Sequence, residues 1–387
     1  MKTAVIGGGA AGLCAAVTAR EKGDSVVLFE RADRVGKKIL ASGNGRCNIM
    51  NTGPLRYPGG GAFAAKVFEA VTREDLSAFF ARHGLALREE AEGRVYPATG
   101  KASTVLNVLL GAALKYGVDI RAQSPVRRAE ARAEGGFLVL GEVYDKLIVT
   151  GGGKAQVKPD GDEGAYGLLG ALGHPVTPLQ PSLTPLLTER DPIKGLSGQR
   201  VAADVALVEG GICLARETGE LLFTDYGVSG VCVMQLARYA QPGAALHIDL
   251  RRAMGFLGED LTAYFDKRRR ELPFCDAGNF LTGLFTEPLI RQLTARARLT
   301  GLSDETLNRL SDIIRRYDIK VTGRRGFEHA QVTAGGADLH FFHPRTLESA
   351  LHRHLHAAGE ILDVDGACGG FNLMFACVSG IAAARAE

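Results

Sequence analysis

The first thirty residues constrain this chain more than any other stretch. A short apolar run, Thr3 to Ile6, leads into Gly7-Gly8-Gly9-Ala10-Ala11-Gly12, and Leu13, Ala16 and Val17 then recur at helical spacing until Gly23. Ser25 to Phe29 reads as a second strand, closed by Glu30. The pattern predicts a strand, a helix over residues 10–22 and a strand, the start of a parallel α/β unit. Three glycines at this spacing mean little alone, because 50 glycines in 387 residues produce about one such match by chance. Placement between a strand and a helix, with an acidic residue 18 positions beyond Gly12, supplies the specificity. Gly7 permits the tight turn, Gly9 lets the backbone approach a pyrophosphate, and Gly12 lets helix and strand pack closely. Free N–H groups at the helix start, from Ala10 and Ala11 onward, then face negative charge. Glu30 suits ribose hydroxyls and disfavours a 2′-phosphate, with Arg31 beside it.

The far end narrows the ligand. Ala358-Gly359-Glu360-Ile361-Leu362-Asp363-Val364-Asp365-Gly366 precedes Gly369-Gly370-Phe371-Asn372-Leu373, which enters an apolar helix predicted over 372–384. Carboxylates such as Glu360 and Asp363 suit the ribityl hydroxyls of a flavin. N–H groups from Gly370 onward can stabilise charge on a reduced flavin's pyrimidine edge. FAD is therefore expected in preference to NAD. Both termini must then fold into one domain, with the intervening chain inserted.

A chain of 387 residues exceeds one ordinary core. Its 46 basic and 43 acidic residues are interspersed, so no nucleic-acid partner is expected. Seven cysteines without a Cys-x-x-Cys pair suggest a reducing, cytoplasmic setting. The first strand starts too early for a signal peptide, and no apolar run reaches the roughly 20 residues of a membrane span.

Helices are predicted near 62–70, 72–83 and 102–116, and strands at 118–122, 126–133, 137–140 and 145–149. The last ends in Thr150-Gly151-Gly152-Gly153, where the chain returns to the flavin's edge. After the proline-rich stretch 175–192, residues 200–250 alternate as in a small antiparallel sheet or barrel. Residues 258–317 are helical in pattern, and Ile319 to Thr322 is a returning strand. No second strand–glycine–helix unit appears. NAD(P)H is thus expected as a transient visitor, unless the substrate is itself the reductant.

The loop Gly36-Lys37-Lys38-Ile39-Leu40-Ala41-Ser42-Gly43-Asn44-Gly45-Arg46-Cys47-Asn48, with Asn51, resembles the second signature of a bacterial family of NAD(P)/FAD-dependent oxidoreductases, variously aminoacetone-oxidase-like or bile-acid-reductase-like. Gly93 to Pro97, Leu222 to Gly230, Ala330 to Gly336 and Ala358 to Gly366 agree with it in order. The resemblance implies an α/β fold: a discontinuous Rossmann-like FAD domain of glutathione-reductase type at 1–185 and 327–387. It also implies an inserted β-barrel at 186–254 and 319–326, and a helical cap at 255–318. FAD contacts are implied at Gly7 to Gly12, Glu30, Lys37, Lys38, Gly43, Val126, Asp363, Asn372 and Leu373. Arg31, Asn44, Gly45, Arg46, Thr150, Gly151, Gly152, Glu360 and Gly370 complete the expected cofactor set. The family often has His at Asp225, Pro at Val231, and an apolar strand where this chain reads Leu351-His352-Arg353-His354-Leu355-His356.

Among candidate chemical groups, Cys47 lies in the signature loop but lacks a partner thiol nearby. Asp225 and Tyr226, with Tyr96, are weak candidates for proton delivery. Arg46 and Lys38 could balance anionic charge. His352, His354 and His356 should share one strand face, with no metal expected. Gly59 to Gly61 is read as a flexible loop, and Arg268 to Arg270 as a solvated helix face. The expected activity is hydride transfer through flavin N5 between NAD(P)H and a small organic substrate; from the resemblance, a conjugated carbon–carbon double bond is its most concrete version. An FAD-dependent amine or amino-ketone oxidase is the alternative enzyme. A flavin-dependent nucleic-acid-modifying or redox-sensing protein is the alternative from another class.

Overall fold

The computed structural model describes residues 1–156, 164–256, 258 and 260–386. These form two compact units, one running from Met1 to Gln180 and resuming at Val332, the other spanning Pro181–Gln331.

The first unit is built on a parallel sheet. Its strands are β1 (Lys2–Ile6), β2 (Ser25–Phe29), β3 (Asp119–Arg121), β4 (Lys146–Val149) and β5 (Leu355–Ala357), in the order β5-β4-β1-β2-β3. Strands covered on both faces read as continuous apolar runs, and Ala4 to Ile6 and Leu147 to Val149 are all buried. Helix α1 (Ala10–Glu21) connects β1 to β2, α2 (Ala102–Lys115) precedes β3, and α3 (Phe371–Arg385) closes the chain. Small residues let α1 and α3 touch at backbone distance. A Cβ on Gly380 would stand 2.3 Å from the Ala11 carbonyl oxygen, and one on Gly359 would stand 2.9 Å from the Ala11 Cβ.

Two lysines hold the other end of α3. Lys22 Nζ donates to the Arg385 carbonyl at 2.7 Å, and the buried Lys146 Nζ donates to the Ala386 carbonyl at 2.6 Å. Burial lowers the Lys146 ammonium to about 8. The head and tail of the chain thus share one sheet and one helix pair.

Three local expectations fail in this unit. The strand expected at 126–133 contracts to Ala129–Ala131, because Pro125 offers no ladder donor and Arg127 and Arg128 are exposed. Gly59 to Gly61 is not a free loop: Gly59 bridges to Asp365, and Gly60 (φ 65°) opens the helix Gly61–Ala70. The three histidines share no strand face, since β5 begins only at Leu355 and His354 sits at φ 63°. His352 Nε2–H donates to the Leu172 carbonyl at 2.9 Å and His356 Nδ1–H to the Thr346 carbonyl at 2.9 Å.

The second unit contains a closed antiparallel barrel. Its strands, in order around the barrel, are Leu186–Thr188, Gly227–Ser229, Ile212–Phe223, Arg200–Glu209, Ala245–Asp249 and Tyr317–Arg324. Val201, Ala203, Val205 and Leu207 alternate into its core. Helices Leu261–Glu271, Glu287–Ala297 and Asp304–Arg315 share that core, with Phe265, Leu293 and Ile314 packed in one cluster with Leu246 and Tyr317. Arg268 and Arg269 are not merely solvated. They donate to the Phe280, Thr282 and Leu302 carbonyls at 2.9, 2.8 and 2.7 Å, so they staple loops that have no regular structure of their own. Among the described residues no helix is long and apolar enough to cross a membrane.

Candidate functional site

A cleft opens at the carboxyl ends of β1, β2 and β4, where parallel sheets place their ligands. Gly7, Glu30, Arg31, Val126, Gly151 and Gly152 are among its lining residues. Gly7 has φ 106°, and a Cβ there would lie 2.5 Å from the Thr150 carbonyl oxygen. Thr150 Oγ1 shares its proton between the Ile6 and Gly7 carbonyls, at 2.9 and 2.8 Å, which ties the turn to β4. A Cβ on Gly12 would stand 1.9 Å from the Gly7 carbonyl oxygen. Gly9 is the opposite case. It begins α1 without a side-chain cap, and a Cβ on it would meet nothing within 4 Å. The start of α1, with Ala10 and Ala11, therefore presents N–H groups to open space. Glu30 is held in place by the Gly8 and Ala32 N–H groups, each at 2.8 Å.

A second set of residues converges from distant segments of the same unit. Lys38 Nζ meets Glu360 at 3.0 Å, while the other Glu360 oxygen accepts the Thr333 N–H at 2.9 Å. A Cβ on Gly153 would strike Thr333 Oγ1 at 2.5 Å and Glu360 Oε1 at 2.6 Å. Asp363 accepts from Thr177 Oγ1 at 2.8 Å, and Thr177 Oγ1 in turn accepts the Gly336 N–H at 2.9 Å. Lys37 turns away to pair with Asp33.

The signature loop is bent into left-handed backbone at Gly43 (φ 56°), Asn44 (φ 53°), Gly45 (φ 82°) and Cys47 (φ 57°). Residues 43–46 are exposed, and two non-glycine outliers in five residues mark stored strain of the kind found at ligand clamps. Arg46 pairs with Glu90 at 2.6 Å and lies over the Tyr96 ring at 4.2 Å, so its charge is already matched. The Cys47 thiol is fully buried, and burial raises it to about 12. A thiol held protonated in a core is a packing group and a poor nucleophile.

Helix α3 starts at Gly370 (φ 99°), again without a side-chain cap. Asn372 spends its carboxamide on the preceding loop, accepting the Gly366 N–H at 2.8 Å and donating to the Gly366 carbonyl at 2.9 Å. Leu373 packs on the core, so only backbone N–H groups are offered at this end. Beside them lies Asn48 Oδ1, buried and without a hydrogen-bond partner among the described residues.

Asp225 and Tyr226 belong to the second unit, in the turn before strand Gly227–Ser229. Asp225 is exposed and its carbonyl accepts from Arg190 Nη1 at 2.6 Å; the Arg325 guanidinium covers the Tyr226 ring at 4.6 Å.

Residues 1–386 match the family model described as HI0933-like protein Rossmann domain. The chain belongs to this family. It is a Rossmann-fold flavoprotein oxidoreductase. A 3-dehydro-bile acid delta(4,6)-reductase from Clostridium scindens is 33% identical over 401 residues, covering 99% of this chain and 98% of the relative. Ribosomal RNA dihydrouridine synthases from Escherichia coli and Haemophilus influenzae are each 28% identical, covering 98% of this chain and 96% of each relative.

The family's FAD fits the site on structural grounds: open space at Gly9 and an uncapped helix start at each end. Thr333, Thr177 and Asn48 were not singled out from sequence. Thr333 and Asn48 lie within segments that carried the family resemblance, a usable signal. Thr177 sits in a proline-rich stretch with no pattern to mark it.

Proposed function

We propose that this flavoprotein reduces a carbon–carbon double bond conjugated to a carbonyl in a small organic substrate, with NAD(P)H supplying the electrons. One observation carries the reading. Relatives aligned over 98% or more of the chain bear two different names that describe one formal change. A 3-dehydro-bile acid carries its double bonds in conjugation with a ketone, and uridine carries its 5,6 double bond in conjugation with a carbonyl. Each gains two hydrogens. The carbonyl withdraws charge, so the distal carbon accepts hydride and its neighbour takes a proton.

Bound FAD supplies the two-electron chemistry through its ring. The protein's task is to hold and orient it. Gly7 to Gly12 receive the pyrophosphate, Glu30 the ribose, and Arg31 and Val126 flank the adenine end. Thr150 to Gly152 bring backbone to the cofactor's middle, and Lys38, Glu360 and Asp363 exchange their internal partners for the ribityl chain. The exposed loop at Gly43, Asn44 and Gly45, with Gly370, Asn372 and Leu373, would bring backbone to the ring, while the Arg46 N–H stays on the Gly43 carbonyl. Asp225 and Tyr226 are the groups to test for proton delivery.

A small substrate is favoured over RNA by how the arginines are used. On the helices of the second unit Arg269, Arg291 and Arg309, and just past the last of them Arg316, face carboxylates within 3.5 Å. Guanidinium groups neutralised in this way contribute little to a phosphate backbone. Anaerobic rapid mixing tests the proposal. NADH or NADPH should bleach the flavin, and a conjugated enone should restore its colour. Bleaching by amines but by neither nicotinamide would replace it with the oxidase reading. Recovery with uridine-containing RNA and not with enones would favour the reaction of the ribosomal relatives.

A further inference from the structure

We propose that the second unit binds a small organic carboxylate on the Arg325 guanidinium, at the turn that carries Asp225 and Tyr226. The inference goes beyond the reaction proposed above and does not depend on the flavin.

The turn is a fixed platform. The Thr224 N–H donates to the Gly227 carbonyl at 2.9 Å, and the Gly227 N–H donates back to Thr224 Oγ1 at 3.1 Å. A Cβ on Gly227 would lie 2.0 Å from the Leu186 carbonyl oxygen, so the turn is pressed against the neighbouring strand. The carbonyls at its apex are also engaged. Arg190 Nη1 donates to that of Asp225 at 2.6 Å, and the Thr188 N–H to that of Tyr226 at 3.3 Å. What the turn presents is therefore its two apical side chains.

Arg325 reaches this platform from the far side of strand Leu186–Thr188, which pairs with the strands on both sides of it. Its backbone is pinned twice: its own N–H donates to the Pro185 carbonyl at 2.9 Å, and its carbonyl accepts from Thr184 Oγ1 at 3.2 Å. The guanidinium is half-buried, lies 4.6 Å from the centre of the Tyr226 ring, and donates through Nη2 to His329 Nε2. Among the described residues no carboxylate pairs with it. By contrast, Arg200, Arg251 and Arg252 of the same unit each meet one. A half-buried cation without a counter-charge costs free energy that a bound anion recovers. The neighbouring Arg324 is spent differently, donating through Nη1 to the Ala237 carbonyl at 3.3 Å.

The geometry selects the ligand's class. Stacking engages the face of the guanidinium, and Nη2 uses one N–H. The other in-plane N–H groups suit a planar fork such as a carboxylate. Two protein carboxylates stand near: Asp225 is exposed at the apex, and Glu328 Oε1 lies 3.5 Å from His329 Nε2. Their repulsion opposes a doubly charged phosphate more than a singly charged acid. The part of the Tyr226 ring left open offers apolar surface to the body of that acid.

Benzoate, benzamide and phenyl phosphate share one apolar body and differ in head group. Each is titrated into the full-length holoprotein and followed by ligand-observed NMR. Wild type should bind benzoate roughly 10-fold or more tightly than benzamide, and more tightly than phenyl phosphate. Arg325→Gln should abolish the preference over benzamide. Arg325→Lys, which keeps the charge and loses the fork, should retain part of it. Glu328→Gln should tighten benzoate about two-fold, because a like charge is removed. Arg291→Gln, at an exposed arginine already paired with Glu287, is the control and should change nothing. Arg325→Gln should melt no lower than wild type, since no ion pair is lost with it. In enone turnover, competition by benzoate would make the carboxylate the substrate's own, and a changed kcat at constant KM would make it an effector's. Either pattern, lost in Arg325→Gln, supports the site. No benzoate binding, equal affinity for benzamide, tighter binding of phenyl phosphate, or a preference that survives Arg325→Gln overturns the assignment. Each of those results leaves the flavoprotein reading intact.

Discussion

Helices α1 and α3 both begin on glycine, both lack a side-chain cap, and both have backbone N–H groups to offer. They differ in what surrounds the glycine. A Cβ on Gly9 meets nothing within 4 Å, whereas one on Gly370 meets the Met50 carbonyl at 2.4 Å. One helix start is open by the absence of atoms, and the other is crowded by atoms that hold a buried acceptor. The same residue type thus serves two physical purposes: at α1 it keeps room for a ligand, and at α3 it lets backbone and side chain approach one another. Glycine-to-alanine changes should separate these purposes cleanly.

The largest effect belongs to a third kind of glycine, one within the same cradle whose chief constraint is the packing of helix on strand. Gly12→Val would place its Cβ 1.9 Å from the Gly7 carbonyl oxygen, against rigid backbone on both sides. We expect loss of the folded first unit, or destabilisation of about 3 kcal/mol or more, measured by thermal melting of the apoprotein. If Gly12→Val folds normally and merely binds FAD less well, the helix–strand contact is looser than its geometry requires.

Gly9→Ala comes next, and its signature is reversed. The residue's φ of −80° suits alanine and the space is empty, so apoprotein stability should change by less than about 0.5 kcal/mol. FAD affinity should fall roughly 100-fold, about 2.7 kcal/mol, because the added methyl occupies the approach of the pyrophosphate. Equilibrium dialysis and melting on the same preparation would separate the two effects. A stability loss that matches the affinity loss would erase the distinction between the two helix starts.

Both helix starts were legible from sequence, but only at the open one did the sequence also imply its surroundings, and the reason is physical. Gly7, Gly9, Gly12 and Glu30 are bound to each other through a single strand–helix–strand unit, so spacing alone implies their geometry. The tail site depends on contacts far apart in sequence. Asn48 meets Gly370, Thr333 meets Glu360, and Thr177 meets Asp363, and no local pattern couples these residues. The same limit explains the histidines. Their spacing of two predicted a strand, but tertiary contacts bend residues 349–354 so that the His352 and His356 rings serve different carbonyls while His354 Nδ1 is buried without a partner among the described residues. The barrel was foreseen because alternation in Val201 to Val208 is local. The arginines of the helical segment were misjudged because their carbonyl partners lie in irregular loops.

Acid should then weaken the tail side of the sheet. His356, on β5, is fully buried with Nε2 unpartnered, and burial depresses it to about 3. Its native form is neutral at all ordinary pH. The unfolded chain binds a proton below about 6.5, so stability is constant above that value and lost progressively as pH falls towards 3. At pH 5 the loss from this residue is about 2 kcal/mol. Asparagine can keep a donor near the Thr346 carbonyl without titrating, so His356→Asn should flatten the urea-midpoint profile between pH 7.5 and 5. An unchanged slope would show that protonation of other groups dominates the acid limb.

The smallest effect isolates what an uncapped helix start means. Helix Arg73–Arg82 begins the ordinary way: Thr72 Oγ1 accepts the Asp75 N–H at 3.1 Å while Asp75 accepts the Thr72 N–H at 2.9 Å. That reciprocal cap consumes donors that α1 and α3 leave available. Thr72→Ala should cost about 1 kcal/mol in apoprotein stability. It should leave FAD affinity within about two-fold, as judged by the same titration used for Gly9→Ala. The pairing of results is the point of the measurement. A cap whose removal lowers stability without touching affinity, beside a glycine whose replacement lowers affinity without touching stability, would assign the free N–H groups of α1 to the ligand. Were Thr72→Ala to weaken FAD binding as strongly as Gly9→Ala, affinity would be following general stability, and the two uncapped starts would lose their special status.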